Sequence, residues 1–334
     1  MVRDRNAPSR NGVVARNLNK IRQNIQNRVE VQGPNNIENI HRTIHNTSGG
    51  NGHMWNLRYS AFDLIFWLHH SNEDSLFAVW EALDANYSVP RYSNTAQAFT
   101  MSANTATGGD TPLKPFHKDE LGNFWTSNEI RDTHTFACTY PILQNLRNTD
   151  TLIRRVNSLY SPRQSIPAIR RTKRGAVTVA FGSGVQYTLS VKAQQASLKG
   201  SPSVFVLLGG VEETHRESGG EDWESDLHFV GQTSFIQQNV DMASSDDSPT
   251  VHSVVPLTAA LEARHQFGEL SSMVSASVYA YLKENVKWKI AKNGKALPGE
   301  ESSGFEISVL WREIEPAMSL DEFPNPQSEE QVLM

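Results

Sequence analysis

"FDLIFWLHHSNEDSLFAVWEAL", residues 62–83, sets two adjacent histidines inside a run of Phe, Ile, Trp and Leu. Ser60 and Asp63 stand in capping-box spacing at its start, and apolar residues fall almost all round through Leu68. That pattern predicts a helix whose first half is buried on every side. A polar ring in such surroundings is costly unless something satisfies it, so His69 and His70 need partners. Adjacent helical residues point about 100° apart, so at most one of the two joins any one partner. The other is packed or hydrogen-bonded.

Upstream, "NIHRTIHNTSGGNGHM", residues 39–54, supplies candidates. Ile37, Ile40 and Ile44 recur at helical spacing, which predicts a helix with His41 and His45 one turn apart on one face. Two imidazoles so placed can meet one ion, and the neighbouring isoleucines make that face partly buried. The chain has eleven histidines, enough for one His-x-x-x-His pair to arise by chance roughly one time in three. Two readings therefore stay open on the residues alone: a three-histidine metal site, or buried histidines satisfied by backbone and carboxylates. The metallopeptidase pattern does not apply, because Arg42 stands where such helices carry the glutamate base. Three imidazoles with an open fourth position suit catalytic zinc, and copper accepts the same ligands, so ligand type does not choose between them.

The rest of the chain divides by period. At 334 residues it is long enough for two domains. "NLNKIRQNIQNRVEV", residues 17–31, places Leu18, Ile21, Ile25 and Val29 on one helical stripe. Residues 88–130 are rich in Ser, Thr, Asn and Gly and read as long surface connections with little regular structure. From Ala176 the period changes to that of strands: "AVTVAFG", "VQYTLSVKA", "SVFVLLGG", "LHFVGQTSFI", "VKWKIAKNG" and "FEISVLWREI" are β-branched and aromatic runs bounded by turn residues. The predicted class is α+β: a helical domain over 1–160, a linker over 161–175, an antiparallel β-sandwich or barrel over 176–316 and a frayed tail over 317–334. The segment 215–226 reads as a polar, acidic loop.

Net charge is −5, and no basic cluster interleaved with aromatics appears, so no nucleic-acid partner is expected. No apolar run is long enough to span a bilayer, and the start lacks the apolar core of a secretion signal. With a single cysteine, Cys138, no internal disulfide forms. These features predict a cytoplasmic protein off the membrane, with Cys138 as a small buried residue.

"GGNGHM" at 49–54, the helix at 62–83 and "IRDTHTFACTYP" at 130–141 resemble the second copper-binding half of fungal tyrosinases and molluscan haemocyanins. "VPLTAALEA" at 255–263 and "YLKENVKWKI" at 281–290 resemble the C-terminal domain of ascomycete tyrosinases. The resemblance covers roughly residues 17–315. It implies that His41, His45 and His70 bind the B-site ion, while His69 and Asp74 brace the helix and its imidazole. Members that handle oxygen use six histidines and two coppers. Here the forty residues before His41 contain no histidine, so the expectation is that the A site is missing and the helical bundle truncated. Arg42, Leu64 and Ser75 replace the family's common Asn, Pro and Arg.

This arrangement is similar to the fungal cyclopenases of quinolone alkaloid biosynthesis, haemocyanin-like proteins with one zinc site. The resemblance implies one zinc per chain, with copper as the alternative, and an aromatic alkaloid as the small-molecule substrate. Glu73, one turn beyond His70, is the candidate proton carrier or extra ligand, with His134 behind it. A copper phenol oxidase half completed by a second chain and a non-catalytic relative are the competing readings. Lys173-Arg174 matches the dibasic site where fungal tyrosinases lose their covering domain, although a retained scaffold is preferred here. Helices left without bundle partners expose apolar faces, which predicts a homo-oligomer.

Overall fold

Two helices carry the tandem and the spaced histidines: α1 (Ile37–Gly49) and α2 (Leu64–Leu83). The structure, a computed structural model, describes residues 37–49, 52–83, 89, 91–93, 100–160, 168–171, 177–180, 184–194, 198, 201–209, 223–235, 250–292, 295–297 and 304–334. The 17–31 stripe, Lys173-Arg174 with most of the expected linker, and most of the 215–226 loop lie outside the described residues.

On α1, Ile40 is 1% exposed and faces the interior, and Thr43 Oγ1 donates to the Asn39 carbonyl one turn back at 2.7 Å. The chain then folds back through two short 3-10 turns, His53–Trp55 and Ser60–Phe62. The fold-back depends on Gly49, where an added Cβ would lie 2.3 Å from the Trp55 nitrogen. The cap of α2 is Asp63 rather than Ser60: its backbone is extended, and its Oδ1 accepts from the Ile65 N–H at 3.0 Å.

The first half of α2 is not buried on every side. Leu64, Trp67 and Leu68 are 70%, 61% and 72% exposed, and burial follows one stripe through His69, Leu76, Val79 and Leu83. A run that is apolar all round does not say which face finds a partner. Packing chooses.

The chain divides into two compact units, Met1–Glu73 with Ile153–Met334, and Asp74–Leu152. The smaller unit holds short antiparallel ladders between β1 (Tyr92–Ser93) and β2 (Ala106–Thr107), and between β3 (Pro112–His117) and β4 (Phe124–Thr126). The polar 88–130 stretch therefore contains regular pairing that its composition concealed. Cys138 is exposed, contrary to expectation, and its thiol donates to the Thr133 carbonyl at 3.3 Å.

In the larger unit the strand runs form antiparallel sheets. After α3 (Thr149–Tyr160) come the paired β5 (Ala168–Arg171) and β6 (Val177–Ala180), then β7 (Val185–Gln194), β8 (Pro202–Leu208), β9 (Phe229–Ser234) and β10 (Thr250–Pro256). Two helices that the strand pattern hid, α4 (Thr258–Gln266) and α5 (Ser275–Asn285), precede β11 (Val286–Lys292), β12 (Lys295–Ala296), β13 (Phe305–Glu315), β14 (Asn325–Pro326) and β15 (Gln331–Val332). One sheet runs β10-β7-β13-β14 with β15 also on β13, and the other runs β12-β11-β8-β9. Alternate residues of both sheets, Tyr187, Leu189 and Val191 on β7 and Val204, Val206 and Leu208 on β8, enter one core with Leu261 and Leu282 of the hidden helices. This is the sandwich solution.

The end of the chain is not frayed. Leu310 pairs with Val332 and Trp311 with Gln331, and the Asn157 amide of α3 donates to the carbonyls of Leu320 and Glu322 at 2.8 and 3.0 Å. Gln232 of β9, on the face away from the core, donates through Nε2 to Thr47 Oγ1 of α1 at 2.5 Å, and Asn46 donates to the Phe235 carbonyl at 3.4 Å. The sandwich thus buttresses the helix that carries His41 and His45. Among the described residues no helix is long and apolar enough to cross a membrane.

Candidate metal centre

Helical spacing brings His41 and His45 onto one face of α1, and α2 presents its tandem pair to that face. His45 Nε2 lies 2.9 Å from His41 Nε2 and 3.2 Å from His70 Nε2. On its other side His45 Nδ1 donates to the Met54 carbonyl at 2.8 Å. A carbonyl only accepts, so the proton of neutral His45 sits on Nδ1 and its Nε2 carries a lone pair. Two further ring nitrogens converge on that one lone pair. Nitrogens bound at about 2.0–2.1 Å to a tetrahedral ion lie about 3.3 Å from each other, close to the separations here. Residues and spacing therefore fit a cation, and the Met54 carbonyl serves as the outer partner that orients a ligating imidazole.

His69 joins the same group. Its ring nitrogens and those of His41 and His45 include donors within 4.8 Å of one another. The residue is 6% exposed, its Nδ1 lies 3.8 Å from Glu73 Oε1, and its Nε2 is buried with no hydrogen-bond partner among the described residues. Burial first, then the three neighbouring histidines, push its pKa down to about 3, with the His41 carbonyl opposing. His69 is therefore neutral at any ordinary pH.

The residues expected to bind or brace an ion thus come together unevenly. His41, His45, His69 and His70 form one cluster, and Glu73 faces His69. Asp74 is exposed. His134 is exposed and pairs with Asp132, while His228 pairs with Asp226. Two participants were not singled out from the sequence. Phe66 stacks on His70 with ring centroids 3.9 Å apart, a contact that i, i+4 spacing on a helix could have flagged. The Met54 carbonyl is a backbone group, on which side-chain identity is silent.

Two family models match the chain, the common central domain of tyrosinase over residues 3–83 and the tyrosinase C-terminal domain over residues 186–309. The chain belongs to the tyrosinase family. The tyrosinase of Neurospora crassa is 25% identical over 383 residues, covering 83% of this chain and 55% of that protein. The tyrosinase of Podospora anserina is 28% identical over 291 residues, covering 67% of this chain and 49% of that one. This family member thus spans about half the length of these curated relatives. Recombinant mushroom tyrosinase shares the fold with a TM-score of 0.70 at 19% identity, over 95% of this chain and 61% of its own. Helices followed by an antiparallel sheet domain are therefore an arrangement that this chain shares with tyrosinase.

Proposed function

We propose that this tyrosinase-family chain is a mononuclear zinc lyase of the cyclopenase kind. It would convert a cyclopenin-type epoxy-benzodiazepinedione into a viridicatin-type 4-arylquinolinone by ring contraction with loss of a small carbonyl fragment. The observation that carries the reading is the convergence of three imidazole nitrogens on one point, with His45 locked in the ligating tautomer by Met54. Among the described residues the one group of three metal-ligating side chains is His41, His45 and His69, with His70 Nε2 3.2 Å from His45 Nε2, and a single site suits a single redox-silent Lewis acid.

His41, His45 and His70 would hold the ion. When bound, zinc supplies Lewis-acid polarisation of a substrate carbonyl or epoxide oxygen. The chain's own part is orientation. Phe66 covers one face of His70 and keeps that side of the cluster apolar. Trp67, 61% exposed and in edge contact with Phe66, offers an open ring on which an aryl group can stack. Holding an intramolecular reaction in one conformer is where most of the rate gain would arise. Glu73, facing His69 rather than open solvent, acts by setting that ring.

A copper-dependent phenol oxidase is the second reading, favoured by the family itself. Elemental analysis of the purified full chain beside His41→Ala separates the two. About one zinc per chain, lost in the variant and accompanied by cyclopenin turnover, supports the lyase. Copper with phenol oxidation transfers the chain to oxygen chemistry. No metal in the wild type removes both.

A further inference from the structure

We propose that His69 is a fourth, displaceable donor to the ion held by His41, His45 and His70, and that Glu73 aims it; this rests on the metal reading above. The family resemblance assigns His69 to bracing the helix, but its position is that of a ligand. Its ring centroid lies 4.9, 5.1 and 5.4 Å from those of His41, His45 and His70. Within the three expected ligands the corresponding distances are 4.8, 4.7 and 5.4 Å. By ring position the four imidazoles are equivalent.

The surroundings of its two ring nitrogens point the same way. Glu73 Oε1 sits 3.8 Å from His69 Nδ1, and a carboxylate there favours the tautomer with its proton on Nδ1. Nε2 then carries a lone pair, buried more than nine-tenths with its residue and without a hydrogen-bond partner among the described residues. Leaving such an atom unsatisfied is unfavourable, and a cation at the centre of the cluster satisfies it. His69 thereby repeats the pattern of His45: Nδ1 toward an outer acceptor, Nε2 inward.

The donors of His41, His45 and His69 lie within 4.8 Å of one another, and His70 Nε2 stands 3.2 Å from His45 Nε2. Glu73 Oε1 stands behind His69 at 3.8 Å, as suits a ligand that closes the site at rest and yields to an incoming oxygen. A four-histidine site is closed, and a three-histidine site keeps an open position. Glu73 would hold the displaced neutral ring by Nδ1 and so keep it ready to return. The tandem His69-His70 would then be one permanent and one exchangeable ligand on adjacent positions of a single helix.

The test uses the full chain loaded with cobalt(II), with X-ray absorption to count imidazoles and azide as the probe of an open position. The expected result is four imidazoles in the wild type and three in His69→Gln. Azide should bind the variant about tenfold more tightly, as when the open form rises from about a tenth of the population to all of it. Glu73→Gln, which leaves all four rings in place, should lie between them and covers the case in which His69→Gln fails to fold. Three imidazoles in cobalt-loaded wild type, with azide affinity the same in wild type and Glu73→Gln, would overturn the fourth ligand and leave the three-histidine reading standing. A wild type that takes up neither cobalt nor zinc would overturn both.

Discussion

The ring of Phe66 lies stacked on that of His70, centroids 3.9 Å apart and planes 28° apart, and it meets His45 edge-on at 5.9 Å. One aromatic side chain thus limits the rotation of two imidazoles that face the same point. Phe66→Ala should weaken zinc binding about 10- to 100-fold, the usual cost of losing a group that orients a ligand. Phe66→Tyr, which keeps the stack, should restore it. Competition against a chromophoric chelator measures both, and an unchanged affinity in the alanine variant would remove Phe66 from the site.

Gly49 ends α1, and a Cβ there would lie 2.3 Å from the Trp55 nitrogen and 2.9 Å from the Met54 carbonyl carbon. These are backbone atoms and cannot rotate away. Gly49→Ala should push the Met54 carbonyl off His45 and cost about 1–3 kcal/mol, the range for overpacking. Zinc affinity should fall with stability. Denaturant unfolding paired with a zinc titration checks this, and full affinity in a destabilised variant would separate the turn from the metal centre.

The pKa of His69 is held down to about 3 against an ordinary 6.5. Between those values the unfolded chain takes up a proton that the folded chain refuses. Stability of the metal-free protein should therefore be flat above about pH 7 and fall as pH drops below about 6.5, by at most about 1.4 kcal/mol per pH unit from this group. Urea unfolding from pH 8 to pH 5 reads the slope, and His69→Gln should make it shallower. A slope unaltered by the substitution would mean that His69 is not held neutral. Bound zinc should add its own loss at low pH, because protons compete for the same nitrogens.

Leu64 and Leu68, one turn apart, form an exposed apolar row on the first two turns of α2. A homo-oligomer that buries this row is the expected outcome, so the wild type should sediment heavier than the 37.3 kDa of one chain. Leu68→Asp should shift it toward the monomer while leaving the helix, which needs no partner at that position to form, intact by circular dichroism. A wild type that sediments as a monomer at every concentration would contradict the assembly.

Much of the fold was legible because its periods are strong. Ile37, Ile40 and Ile44 marked α1, and alternation in "VQYTLSVKA" and "FEISVLWREI" marked the two central strands β7 and β13, which pair over nine residues. What was not legible depended on partners distant in the chain. The 317–334 tail carries Pro, Ser and Glu and reads as frayed, yet it is held by β13 and by Asn157 of α3. The helices α4 and α5 have little amphipathic contrast, and Leu261 and Leu282 become core residues only because two sheets enclose them.

By itself the sequence determined which side chains can ligate an ion, that His41 and His45 share a helix face, and that the chain is a helical part followed by an antiparallel strand part. Those are consequences of residue type and period, which are local. The tertiary structure alone decided that both members of the tandem turn toward α1, that Glu73 faces His69 while Asp74 stays exposed, and that a backbone carbonyl fixes the His45 tautomer. The angle at which two helices meet selects the side chains that converge, and that angle is set by packing across residues far apart in the chain, including the seat of α1 on Gln232 of the sandwich.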